Sequence, residues 1–425
     1  MSPASFRVLP LVVGGALAVC AAAIVFVAPV TSMGTAGRRG VADTLPPLDP
    51  IARLQVQLDA GTRTLRHDSL HGYLPALLEA LAIPVSSQGL VFSRTSLQTD
   101  KITPWTPRAL YYNDDVYIGF VQESRFLEIA SMHPTRGAVF YTLSQEPRGR
   151  LAFSRETTTC LMCHQSRSAT GGVPGLMVLS TIADRFGYPV VGVHEGTTTD
   201  ATPVRQRFGG WYVTGSHGDS ANGGHSGNVY SPKLGHEITD KQDYRTRIDL
   251  TKESRRTEVS DKFDPSPYLS AHSDLVAMMV LVHQTTTHNL MTSVHEAGDG
   301  PQRAGAVSRL VKALLFADEA PLRGVMRGTT AFAQEFAQRG PRDSRGHSLR
   351  DFDLTTRLFT HPVSFLIYSD GFRALPPAVR TDIYQQIDAA LADSTSAPGA
   401  RLSEALRDAT RNILRETIAE YPRGR

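Results

Sequence analysis

Outside one residue near the start, Cys20, this chain has only two cysteines, Cys160 and Cys163, three positions apart. That scarcity constrains the fold more than any other feature. A chain of 425 residues, 41% of them apolar, must hold itself together by burying a core, because it has no crosslinks to do so. Its length suggests two or three domains at roughly 150 residues each. The net charge is +3 and there is no block of Lys or Arg, so the sequence carries no electrostatic footprint for nucleic acid.

The segment Leu9 to Val30 is almost unbroken apolar sequence behind the lone basic residue Arg7. A charged start followed by a hydrophobic run is the pattern of export. The run is long for a cleaved signal and nearly long enough to span a bilayer, so residues 1–30 read as a signal peptide or a signal anchor. Residues 31–50, small, polar and proline-rich, read as a linker. Cys20 sits inside the apolar run, as a lipid-facing or discarded residue. An exported chain reaches a compartment where thiols oxidise. A mature chain with a single cysteine pair there has not used cysteine as scaffolding.

The pair is followed directly by a histidine: Cys160-Leu161-Met162-Cys163-His164. Cys-x-x-Cys-His is the attachment signature of c-type haem. Two thiols on one helical turn can bond the two vinyl groups of one porphyrin, and the next residue is then held beneath the ring, where its imidazole can bind the iron. A structural disulfide would use the same cysteines but leave His164 as coincidence. A thioredoxin-like pair wants a helix opened by its first cysteine, and the Gly171-Gly172-Val173-Pro174 turn keeps such a helix short. A zinc site wants further ligands. The sequence therefore predicts one covalent haem c on Cys160 and Cys163, with His164 on the metal.

The motif resembles that of the c-type cytochromes. The wider set of segments is similar to a group of bacterial mono-haem proteins labelled cytochrome c domain proteins. These segments are Gly172-Val173-Pro174-Gly175, Phe208 to Gly218, Ser273 to Val276, Gln284, His288-Asn289 and Ser364 to Ser369. The resemblance spans most of the mature chain. It implies haem binding and electron transfer, and no defined substrate.

The surrounding pattern predicts an α+β fold. Residues 109–122 and 126–145 alternate aromatic and β-branched positions around Asn-Asp and Pro-Thr-Arg-Gly turns, so each reads as a hairpin; 176–193 reads as a third, turning near Arg185 to Gly187. Leu74, Leu77, Leu78 and Leu81 share a helical face ended by Pro84. From about Ala271 the chain turns helical. Leu275, Met279, Val282 and Leu290 form a stripe, and later helices are expected at 303–318, 374–393 and 401–420. The expected organisation is a strand-rich haem-attachment part, 51–240, packed on a mainly helical part, 241–425. It is not the small all-helical cytochrome c fold.

The sixth iron position decides what such a site does: Met or His there gives an electron carrier, an open position a haem enzyme or gas sensor. His217 is the first candidate, in the Gly-rich segment Thr214 to Asn228, with His225 and Met177 as alternatives. His283 and His288 read as satisfied core histidines. Arg205 and Arg207 are candidate partners for haem propionates, and Trp211 for packing on the ring edge. The expected function is a periplasmic one-electron carrier, in solution or anchored to the inner membrane, serving a redox partner protein or a quinone-linked chain. The alternative is a peroxidase-like haem oxidoreductase or sensor.

Overall fold

A computed structural model describes residues 48–184, 186–189, 196–217, 257–395 and 402–423. The segment Leu9 to Val30 lies outside these residues. Among the described residues no helix is long and apolar enough to cross a membrane.

The aromatic and β-branched runs form a sheet. After a short strand β1 (Gly89–Val91) come β2 (Arg108–Tyr112) and β3 (Val116–Phe120), then β4 (Phe126–His133), β5 (Gly137–Ser144) and β6 (Phe153–Glu156). Asn113 shapes the first hairpin, its Oδ1 accepting from the backbone of Asp115 and Val116. Two short strands, β7 (Leu179–Ser180) and β8 (Gly196–Thr197), pair with each other; β9 (Trp211–Tyr212) adds to the free edge of β1. The main sheet is antiparallel throughout, in the order β6-β5-β4-β3-β2-β1-β9. The hairpin expected at 176–193 is shorter than its pattern suggests. An Ala183–Pro189 bridge and an Asp184 turn complete it, and the residues paired with β7 lie beyond 194.

The sheet is buried on both faces. Leu90, Tyr111, Ile118, Ile129 and Tyr141 join Ile51, Leu54, Leu74 and Leu77 from the helices Pro50–Asp59 and Leu74–Ala80 in one apolar cluster. Asp49 caps the first of these helices, and its other carboxylate oxygen accepts from the Tyr141 hydroxyl at 2.9 Å. Asp49 is buried, so the expected linker ends before it.

On the opposite face Tyr112, Tyr117, Ala130, Met132 and Phe140 meet the helix Leu275–Glu296. This central helix is buried on nearly every side, not only along the expected stripe; Leu290 of that stripe is half-buried. Asp274 caps it. One carboxylate oxygen accepts from Val276 and Ala277, the other from the backbone of Thr329 and Thr330 and the Thr330 hydroxyl. Helices Pro301–Leu314, Pro377–Ala392 and Glu404–Thr417 stand where the later helices were expected. Their starts are set by first-turn prolines in two cases and by the Ser403 cap in the third. Strands β10 (Ser216–His217) and β11 (Met326–Arg327) form a further pair. The fold is thus a seven-stranded antiparallel sheet in the N-terminal half and mostly helices in the C-terminal half. Pro47–Arg425 form one compact unit, in which sheet and helices share a core.

Candidate functional site

Beyond the edge strand β6 the chain passes through Thr157 to Thr159 into a single helical turn, Leu161–His164, with Cys160 at its N-cap. The His164 amide donates to Cys160 O at 2.9 Å, which closes the turn around the two cysteines. Both thiols are free; Cys160 is half-buried and Cys163 exposed. Met162 between them is 77% exposed, so the outer side of the turn faces solvent. Burial, with Glu156 and Glu128 nearby, pushes the Cys160 thiol up to about 11. A redox-active Cys-x-x-Cys works through the opposite shift, a depressed thiol, so Cys160 is a poor thiol nucleophile.

His164 turns inward onto the sheet. Its ring packs on Phe140 at 4.7 Å between centroids, on the face where Phe140 opposes Ala130 and where, two residues on, Thr142 opposes Glu128. The Arg108–Glu128 ion pair, 2.9 Å, lies on that face as well. His164 Nδ1–H donates to Gly175 O at 2.9 Å, and Gly175 N–H donates back to His164 O at 2.8 Å. Burial holds the imidazole below the usual histidine range, which keeps it neutral at pH 7. With Nδ1 carrying the proton, Nε2 keeps its lone pair. Among the described residues no hydrogen bond reaches Nε2.

The Gly172–Leu176 loop that supplies this acceptor is fixed from two sides. Ala138 of β5 donates to Pro174 O at 2.9 Å. Asn289 of the central helix takes the Leu176 peptide groups at both ends, accepting from its N–H at 2.9 Å and donating to its O at 2.7 Å. The approach is close enough to demand glycine at two positions. A Cβ on Gly137 would lie 2.1 Å from Pro174 O, and one on Gly175 would lie 2.2 Å from Asn289 Oδ1. The sequence singled out Gly172 to Gly175 and His288-Asn289 only as segments of resemblance. In the structure Gly175 supplies the acceptor for His164, and Asn289 holds the residue after it. Phe140, a plain strand aromatic in the sequence, is the floor under its ring.

The other candidates are placed differently. Met177 is half-buried, two residues past Gly175. His217 is in β10, after Thr214, which bonds to Ser273 and Leu275 at the N-terminal end of the central helix. Asn289 is fourteen residues further along that helix, about 21 Å at 1.5 Å per residue, so His217 and His164 are not brought together. His225 lies outside the described residues, as does the side chain of Arg205. Arg207 is buried, and its donors go to Thr202 O, Asp200 O and Met279 Sδ. Trp211 Nε1 donates to Leu179 O. The donors of both residues are therefore spent inside the protein.

The two helix histidines are core residues. His288 Nε2–H donates to Asp114 O, and burial pushes the ring down to about 4. His283 bridges Asp200 and Ser364 at 2.7 Å on each side. That is the connectivity of a nucleophilic relay. Ser364 is fully buried, however, and its Oγ also accepts from Leu366 N–H, so the chain of bonds ties helix to loops. Among the described residues no group of three His, Cys, Asp or Glu side chains could hold a metal ion. No family model, curated protein or solved structure matches the chain.

Proposed function

We propose that this chain is an exported carrier of one covalent haem c, bonded through Cys160 and Cys163 and ligated by His164, which passes single electrons. One observation carries the reading. Two free thiols on one helical turn stand next to an imidazole whose Nδ1–H is committed to a backbone carbonyl, so that its Nε2 is left as the donor to a metal. That is the state a metal-ligating histidine needs, with its other nitrogen oriented by an acceptor. The residues fit the group in other respects too. Cys160 is half-buried beside the apolar core and Cys163 is open to solvent, so a planar ligand attached to both would lie partly against protein. A porphyrin bound there would supply a one-electron couple. The chain's own part is to hold the imidazole neutral, fix its plane and supply the apolar floor of Phe140.

The donor and acceptor are proposed to be a partner protein or a quinone-linked chain outside the cytoplasm, from the apolar segment at residues 9–30. A second reading, an open iron position serving a haem oxidoreductase or gas sensor, is favoured by the placement of His217 in β10, by the start of the central helix and away from His164.

The test is expression of the full chain in a host that attaches haem c outside its cytoplasm. Haem should remain on the denatured polypeptide and be lost when both cysteines become alanine. A haem-free chain, made alongside a control cytochrome that matures normally, would overturn the reading. In the loaded protein, low-spin iron indifferent to carbon monoxide favours the carrier, and high-spin iron that binds it favours the open site.

A further inference from the structure

The carbonyl that orients His164 lies in a loop that β5 holds at Pro174, through Ala138 N–H, and that the central helix holds just past Gly175. Gly175 follows Pro174 in a loop without regular structure, and the next residue, Leu176, is where the central helix takes hold. Asn289 accepts from the Leu176 N–H, which shares a peptide plane with the Gly175 carbonyl, and donates to the Leu176 C=O of the next peptide, so the residue is held on both sides of its Cα. Its Oδ1 also lies against the Gly175 Cα, as the 2.2 Å clearance for an added Cβ shows. Asn289 projects from a helix buried on nearly every side and anchored at its start by Asp274. The amide is therefore better fixed than the loop it holds.

We infer that Asn289 is the positioning residue of His164. By fixing the Leu176 peptide it sets the direction of the Gly175 carbonyl, and that carbonyl sets the tautomer and plane of the imidazole. The consequence for an iron centre rests on the haem reading above; the consequence for His164 itself does not. A carbonyl well aimed at Nδ1–H makes the imidazole a stronger donor, which favours ferric iron. Releasing it shifts the couple toward ferrous iron.

The decisive variant is Asn289→Leu, which keeps the branching at Cγ and is unable to make either bond. Asn289→Asp keeps the acceptor for Leu176 N–H and loses the donor to Leu176 O, so it should fall between Leu and wild type. It also decides the matter if the leucine variant does not fold. Two readouts are used. In the haem-free full chain, ring-nitrogen NMR should show His164 as the Nδ1–H tautomer in wild type and as a mixture in the variants. In the loaded protein, the ferric–ferrous equilibrium should shift about tenfold toward ferrous for leucine, about 59 mV for one electron. An unchanged tautomer in a variant whose Leu176 amide has lost its protection from hydrogen exchange overturns the inference. A mixed tautomer in a chain that never acquires haem upholds it and refutes the haem reading instead.

Discussion

Gly175→Ala probes the same support through a single methyl group. The new Cβ would lie 2.2 Å from Asn289 Oδ1 and 2.7 Å from its Cγ. Ordinary contact needs at least about 1.2 Å more than the shorter of these, so the Asn289 amide must swing away. The backbone at Gly175 is not in the left-handed region, so the cost falls on that contact and not on torsional strain. Two buried hydrogen bonds at about 1–1.5 kcal/mol each are lost or stretched, a loss of about 2–3 kcal/mol. Alanine returns about 0.4–1 kcal/mol by restricting the unfolded chain, which leaves a net loss of about 2 kcal/mol. Gly196→Ala is the control, because nothing lies within 4 Å of its added Cβ and only the small unfolded-state gain applies. Urea denaturation of the two variants and wild type measures the difference, and the His164 ring resonances show whether the loss is felt at the imidazole. If Gly175→Ala matched the control within about 0.5 kcal/mol, the close packing that defines the clamp would be wrong.

Two further outcomes follow from charge. Burial raises the Glu319 carboxyl to about 7 from 4.5, with Asp200 adding to it, so the folded state holds this proton more tightly than the unfolded chain does. Its contribution is then greatest below pH 4.5 and is lost as pH rises to 7; Glu319→Gln, which keeps an acceptor for Leu358 N–H, should match wild type near pH 4 and exceed it by about 3 kcal/mol at pH 8 in urea melts. A constant difference across that range would refute the assignment. Asp274→Ala strips the central helix of its cap and leaves the Thr329 and Thr330 amides without their acceptor, a loss of about 3–5 kcal/mol. Hydrogen exchange at those two amides should quicken together with that of Val276, and slow exchange at all three would count against the role given to Asp274.

The hairpins were legible because alternation with a turn residue is local. Asn113 and the residues flanking it carry the whole signal for β2 and β3. The later helices were legible from spacing, with their ends displaced by one to four residues, because a first-turn proline such as Pro301 or Pro377 fits a helix start as well as the loop before it. What could not be read was long-range. Nothing near Cys160 announces that Phe140 lies under His164. Nor does anything near Gly175 announce Asn289, which is 113 positions from the Leu176 it bonds. A glycine explains itself only when the atom it makes room for is known. Arg207 misled in the opposite direction: an arginine just before an aromatic run looks available, and here its donors close a loop over the central helix.

The motif needs little from its surroundings: one helical turn to space two thiols, an acceptor behind the histidine, and an apolar floor beside it. A helical bundle can provide all three, but none of them is a property of bundles. Here the turn leaves the edge of a sheet, the floor comes from β5, and the acceptor comes from a loop that a distant helix holds in register. On the proposed reading the rest of the chain is not surplus to the site. The sheet and the central helix share one core, and His164 stands where both reach it, through Phe140 on one side and through Gly175 and Asn289 on the other. A change anywhere that slides helix against sheet would therefore be felt at the imidazole, and a small independent haem module could not be cut from this chain at 240 without losing Asn289 and with it the support of the acceptor.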